Sequence, residues 1–266
     1  MNPALSNNNT LNNLRKSWAA FYFLISFIFP GILMAGDNPE ELYRKGNSSY
    51  ENEDYVQAVS IYEKLIEMDR VSPEIFYNLG SSYFKLKKIG KAVLNYERAL
   101  RMDPVDRDIR FNLKLARTMT VDKINTAERG FALSAVFFLY DRMTLNELAA
   151  VCSFFYLAII LLLIFSIFFV AKRRALFYAA GSFGIMLLVF FIFLSAKFRD
   201  ENLAKTGIIV VEKIDARSGP KEDYLLQFTL HEGTKVSVVK KAQGWYEIDL
   251  SKDLKGWVPE TSVDII

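Results

Sequence analysis

The stretch LAAVCSFFYLAIILLLIFSIFFVA, Leu148 to Ala171, is followed by Lys172, Arg173 and Arg174 and then by ALFYAAGSFGIMLLVFFIFLSA, Ala175 to Ala196. Neither apolar run holds a charge. Each exceeds the roughly 20 residues that a helix needs to cross a hydrocarbon core about 30 Å thick. In lipid only helices satisfy their own backbone N–H and C=O groups, and a three-residue connection leaves no room for a crossover. The stretch therefore predicts two antiparallel transmembrane helices, 148–171 and 175–196, with both flanking regions on one side.

Lys and Arg in short loops are retained in the cytoplasm, so the basic tip Lys172, Arg173 and Arg174 predicts a cytoplasmic tip and extracytoplasmic flanks. At the other end, Arg15 and Lys16 precede a 17-residue uncharged run, Trp18 to Met34, that ends in Leu33-Met34-Ala35-Gly36. A basic start, an apolar middle and a small residue at the cleavage point read as a signal peptide over residues 1–35, although Leu33 is bulky for its place. An uncleaved signal anchor is the alternative and gives the same orientation. The expected location is the bacterial inner (cytoplasmic) membrane, multi-pass, with the lipid bilayer as a partner and the soluble parts periplasmic.

Net charge is +3, of which Arg15, Lys16 and the hairpin tip contribute +5 and the rest of the chain −2. The excess is thus a matter of topology. Residues 37–129 hold 16 basic and 16 acidic side chains, and residues 205–266 hold 9 and 10. Neither part offers the basic field that phosphate backbones require, which argues against a nucleic-acid partner. The single cysteine, Cys152, lies in the first span, so no disulfide staples the exported parts.

The exported N-terminal part repeats itself with a period of 34. Gly46 recurs as Gly80, Ala58 as Ala92, Tyr62 as Tyr96, Glu63 as Glu97, Met68 as Met102 and Asp69 as Asp103. Gly and Ala belong where two helices approach closely, with an aromatic ring filling the gap beside them. The second copy, with Phe76, Leu79-Gly80, Tyr83, Ala92, Tyr96 and Pro104, resembles the tetratricopeptide signature; the first copy, with Arg70 in place of the terminal proline, matches less well. Repeats at 37–70 and 71–104 follow.

Two such units bury too little surface to stand alone. Carrying the register onward places Ile109, Phe111, Asn112 and Leu113 where Ile75, Tyr77, Asn78 and Leu79 lie, and predicts a capping helix over 106–117 with Asp106 or Asp108 at its N-terminus. Thr118 to Arg129 reads as a polar end to the stack. The first helix of each pair is expected to line a protein-binding groove with Tyr43, Asn47, Tyr50 and Glu51 from one copy and Tyr77, Ser81, Phe84 and Lys85 from the other. Packing against the capping helix is the competing role for several of these rings. Tyr43 stands where a carboxylate clamp needs Lys, so a terminal-carboxylate ligand is not expected.

Phe131 to Tyr140 is an uncharged ten-residue run, too short to span, and is expected to be an interfacial helix over 131–140. Past the hairpin, residues 205–266 turn to short strands rich in branched residues, Ile208 to Glu212, Lys235 to Val239 and Trp245 to Leu250, with turns at Ser218-Gly219-Pro220, Glu232-Gly233 and Gln243-Gly244. Their order, with Gly256-Trp257-Val258-Pro259 near the end, resembles a bacterial SH3-like domain. Trp245, Tyr246 and Trp257 are its candidate ligand surface, against the plainer role of barrel core. The fold class expected is a multidomain membrane protein: all-α tetratricopeptide helical repeats, a two-helix transmembrane hairpin and a small all-β SH3-like barrel.

His231 is the single histidine and is expected in a turn. With no second histidine, no exposed thiol, no glycine-rich phosphate loop and no catalytic serine context, no catalytic, metal or cofactor site can be assembled. The Glu222-Asp223 pair suits a solvated turn. No catalysis and no cofactor are expected.

The order of leader, tetratricopeptide pair, hairpin with a basic tip and SH3-like domain resembles the BatE family of the Bacteroides aerotolerance (Bat) operon over nearly the full chain. The resemblance is carried by Phe76 to Pro104, by Leu148 to Ala196, and by Phe228 to Val236 with Gly256-Trp257-Val258. It implies partners among other membrane proteins, the von Willebrand A domain Bat proteins and an associated MoxR-type ATPase, and a link to oxygen or stress tolerance. The function expected is a non-enzymatic scaffold that binds proteins outside the cytoplasm. The alternative is a cell-wall tether whose SH3-like domain binds peptidoglycan while the repeats recruit an enzyme.

Overall fold

The computed structural model describes residues 38–123, 131–203, 205–251 and 254–266. The expected leader, with Arg15 and Lys16, lies outside the described residues. The chain divides into two compact units, Met1–Glu41 and Leu42–Ile266. Of the first, the described part opens helix α1 (Pro39–Glu51), where Asn38 Oδ1 accepts from the Glu40 amide at 3.1 Å.

Four further helices follow: α2 (Tyr55–Glu67), α3 (Pro73–Lys85), α4 (Ile89–Met102) and α5 (Arg107–Thr118). Their starts are written into the sequence. Asp54 accepts from the Gln57 amide at 3.0 Å, Ser72 from Ile75 at 3.3 Å and Asp106 from Ile109 at 2.9 Å, each satisfying an amide that the helix leaves open. Helix α4 differs: Lys88 stands at its N-cap and offers no side-chain bond.

The 34-residue period has a steric cause. A Cβ on Gly46 would sit 2.8 Å from Tyr62 Cε1, and one on Gly80 would sit 2.9 Å from Tyr96 Cδ1. Both tyrosines are buried. The repeats share one core that runs from Leu42 through Tyr62, Leu79 and Tyr96 to Leu113 and Ala116 of α5, and it takes in Ile208 from the C-terminal sheet.

Helix α6 (Phe131–Arg142) leads by a short turn into α7 (Leu145–Phe168), whose start is fixed by a reciprocal capping box between Thr144 and Glu147. A 3₁₀ turn, Val170–Lys172, joins it to α8 (Arg173–Phe198), and a π turn, Arg199–Leu203, follows. Helices α7 and α8 run side by side in opposite directions, with Phe155 in ring contact with Phe183 and Phe190 at 5.5 and 5.7 Å. Both are long and apolar enough to cross a membrane, and most of their side chains are exposed. Lys172, Arg173 and Arg174 are exposed at the tip. The last turn of α6 lies against α8, where Tyr140 and Phe137 meet the ring of Phe193 at 6.0 and 6.3 Å.

The C-terminal part holds β1 (Lys205–Ile209), β2 (Lys213–Arg217), β3 (Leu226–His231), β4 (Lys235–Ala242), β5 (Trp245–Ser251), β6 (Leu254–Pro259) and β7 (Val263–Ile265). All pairs are antiparallel, in the order β3-β2-β6-β5-β4-β1-β7. Its core holds Ile209, Ala216, Leu230, Val236, Ile248, Val258 and Val263. The expected barrel is not closed, because the end strands β3 and β7 do not pair with each other. The repeats take up part of both ends instead: the His231 amide donates to Asp122 at 2.7 Å, and Arg98 donates to the Ile265 carbonyl at 2.6 Å. His231 accordingly closes a strand and does not sit in a free turn.

Candidate functional site

The first helices of the stack, α1, α3 and α5, are tied to one another by a polar ladder. Asn78 donates to Asn47 Oδ1 at 3.1 Å and to the Tyr43 hydroxyl at 3.4 Å, and one repeat further on Asn112 donates to the Tyr77 hydroxyl at 2.6 Å. Tyr62 reaches the same junction from α2, donating to Asn47 at 2.7 Å. Burial raises the phenol of Tyr62 and pushes that of Tyr96 up to about 12, so both stay protonated at neutral pH.

The residues expected in the groove divide into three kinds. Tyr43, Asn47 and Tyr77 belong to the ladder. Ser81 is buried and bonds the Tyr77 carbonyl at 2.9 Å and the Tyr96 hydroxyl at 3.1 Å, while Phe84 packs half-buried on the core. Tyr50 lies edge-on to Tyr55 at 5.3 Å, Lys85 holds its ammonium 5.9 Å from the same ring, and Glu51 is exposed. Lys85 and Glu51 therefore carry opposite charges at the ends of neighbouring first helices. Asn47 is an expected groove residue, whereas the ladder's other asparagines, Asn78 and Asn112, are not; their 34-residue spacing is the signal that marks them.

In the sheet the three candidate rings do not form one surface. Directly paired residues in an antiparallel sheet share a face and successive residues alternate. Tyr246 pairs with Val258 and Glu247 with Trp257, which puts Tyr246 on the core face, and Trp245 and Trp257 on the other. Tyr246 donates to Glu260 at 3.1 Å, and Lys241 pairs with the same carboxylate. Trp257 is 9% exposed and carries the Lys240 ammonium 5.1 Å above its ring.

A third group of residues joins the repeats to the sheet through hydrogen bonds and ion pairs. Glu232, in the β3–β4 turn, accepts from the Gly90 amide at 2.7 Å. Asp122, after α5, accepts from the His231 amide at 2.7 Å and from the Thr234 hydroxyl at 2.8 Å, and lies 3.0 Å from His231 Nδ1. Glu97, 7% exposed, is held between Lys235 at 3.0 Å and Arg117. Burial opposes ionisation of Glu97, yet the two cations outweigh it and hold the carboxyl below its ordinary value; at Asp122 the bonds from His231 and Thr234 do the same. Arg101 completes the set with bonds to a main-chain oxygen of Ile266 at 2.9 Å and to the Glu201 carbonyl at 2.8 Å. Among the described residues no group of three or more His, Cys, Asp or Glu could hold a metal ion.

Compared with known proteins, residues 73–105, which span α3 and α4, match the tetratricopeptide repeat family. No curated protein matches the chain. Tetratricopeptide repeats generally mediate protein–protein interactions, and the match points to an interaction scaffold.

Proposed function

We propose that the chain is a non-enzymatic, membrane-anchored scaffold. Helices α7 and α8 cross the cytoplasmic membrane with the basic tip inside, and the face of α1, α3 and α5 binds a partner protein on the extracytoplasmic side. The observation that carries this reading is that repeats and sheet fold as one unit at one end of the hairpin. Tyr140, before the first long helix, donates to Asp200 at 2.6 Å after the second, and Arg101 of the repeats grips the Glu201 carbonyl. These contacts support placing both soluble parts on one side, and the basic Lys172, Arg173 and Arg174 tip supports that side being the extracytoplasmic one.

The C-terminal seven-stranded antiparallel sheet is read as an SH3-like domain on its sequence marks, and its contact with α4 through Glu232 and Gly90 supports a role in bracing the repeats. The resemblance to the Bat family points to von Willebrand A domain membrane proteins as partners, with a MoxR-type ATPase in the same assembly and a role in oxygen or stress tolerance.

Gentle cross-linking of the full chain in its membrane, followed by mass spectrometry, tests the proposal. Recovery of such membrane proteins with the native chain, and its loss when exposed Glu51 and Lys85 are reversed in charge, supports the scaffold. Absence of a protein partner together with sedimentation of the full chain on purified peptidoglycan would replace it with the cell-wall tether.

A further inference from the structure

The two rungs of the ladder have one form: Asn78 of α3 donates to the Tyr43 hydroxyl of α1, and Asn112 of α5 to the Tyr77 hydroxyl of α3. One period further on, the tyrosine place is taken by Phe111 of α5, which has no hydroxyl to offer and is 66% exposed. Two neighbouring groove places change in the same direction. Asn47 and Ser81 are succeeded by Leu115, and Glu51 and Lys85 by Met119, and both successors are exposed. Of the three first helices, α5 alone is apolar at all three places.

Phe111, Leu115 and Met119 are four residues apart and make one ridge along α5. Such a ridge packs into the groove between like ridges of another helix, which is the commonest way that helices meet. The edge of the ridge is basic. Arg107 lies one turn before Phe111, Lys114 stands beside Leu115, and at a spacing of seven the two share a side of the helix. Neither makes a hydrogen bond or an ion pair among the described residues. The other two cations of α5 are engaged, Arg117 with Glu97 and Arg110 with the Pro104 carbonyl at 2.7 Å. Asp108, the one carboxylate of α5, acts on the Tyr77 phenol and so belongs to the α3 side.

We infer that this face of α5 docks an amphipathic helix of a partner protein, apolar along its contact stripe and acidic beside it, stacked on α5 as α5 is stacked on α3. The apolar ridge calls for a helix, and the open cations Arg107 and Lys114 call for carboxylates at its edge. A second copy does not supply them by the same face, because its own α5 brings four cations and one carboxylate. The inference deepens the proposed scaffold reading, on which it rests, by giving the partner a chemistry.

The test uses the full chain in its own membrane, with Thr118, exposed beside the ridge, replaced by photo-reactive p-benzoylphenylalanine. A second chain carries the same probe at Lys85. After irradiation, mass spectrometry identifies the segment joined to each probe. The expected adduct at 118 is a segment of another protein with apolar residues three and four apart and Asp or Glu beside them. Its yield should fall at least about tenfold when Arg107→Glu and Lys114→Glu are added, since like charges then face each other. Reversing the acidic residues of the captured segment should restore it. An adduct to lipid, to the same chain, to a second copy or to a segment without acidic residues overturns the inference, and so does a yield that the charge reversals leave unchanged. Capture of a protein at 85 with none at 118 overturns this docking and leaves the scaffold standing; capture at neither position overturns both.

Discussion

The amide of Gly90 donates to Oε2 of Glu232 at 2.7 Å, across 142 residues of sequence, so that Glu232 gives α4 the capping bond that its N-cap residue Lys88 does not make. Gly90 is also where the sheet comes nearest: a Cβ there would lie 2.7 Å from the Ile209 carbonyl and 2.9 Å from Glu232 Cβ. Capping and close approach are one contact, which ties the start of α4, in the matched repeat, to the β3–β4 turn.

Replacing Glu232 by Ala is expected to cost about 1 kcal/mol, the usual worth of an N-cap side chain. Hydrogen exchange at the first-turn amides of α4 should speed up by about fivefold, while the amides of α2, capped by Asp54, stay as they are. Equal acceleration in both helices would mean global loosening.

Gly90→Ala should be worse than Gly80→Ala. At Gly80 the obstruction is the ring of Tyr96, and overpacking of about 1–3 kcal/mol is partly offset by about 1 kcal/mol of helix propensity. At Gly90 the nearest obstruction is backbone, which cannot rotate away. Melting temperatures of the two variants in detergent check the order.

Glu97→Gln removes the charge that Arg117 and Lys235 share and is expected to destabilise by about 2 kcal/mol, the scale of a hydrogen bond to a charged group. Both cations are about half exposed and regain water, which keeps the loss below that of a fully buried pair. Lys235→Met should cost less, because Arg117 still answers Glu97. A denaturant midpoint for each variant separates them.

Acid should loosen the same joint. The carboxyls of Glu97 and Asp122 are held below their ordinary values in the folded chain, so the unfolded chain binds protons more readily. Their contribution is fully present above roughly pH 5, and is lost as pH falls below the ordinary carboxylate range of roughly 4 toward the lower folded values. Exchange at the amides of His231 and Gly90 should rise in that window. In an Asp122→Asn, Glu97→Gln double variant the pH dependence should flatten.

Neutralising Lys172, Arg173 and Arg174 together should disturb orientation more than folding, since all three are exposed. Reporter fusions at the tip are expected to give mixed inside and outside signals; an unchanged topology would remove the charge argument for which side the repeats face.

The hairpin and the second helix pair are legible in the sequence because their cause is local: uncharged runs of spanning length, and Gly80 against Tyr96 at a distance that excludes a methyl group. The docking of sheet on repeats is not local, yet it leaves a trace when the two copies are set side by side. Exposed Val56 and Ser60 of α2 become buried Gly90 and Leu94 in α4, and exposed Glu63 becomes buried Glu97. The outward face of the second copy has changed because something covers it. Asp122 leaves no such trace: it falls in a stretch whose polarity suits a solvated end, and the amide of His231 that fixes its role is 109 residues away. The groove was legible as a face but not as a mechanism. Tyr43 and Tyr77 have the spacing of a contact surface, and hydrogen bonds to Asn78 and Asn112 give them a share in holding the repeats in register.

The guanidinium of Arg101 holds a main-chain oxygen of Ile266, just past β7, and the Glu201 carbonyl in the π turn after α8. With that grip the hairpin and the repeats are geared to one another, where a loose polar linker would let them swivel apart. A tilt of α8 would be passed through Arg101 to the repeats that carry the Tyr and Asn rungs.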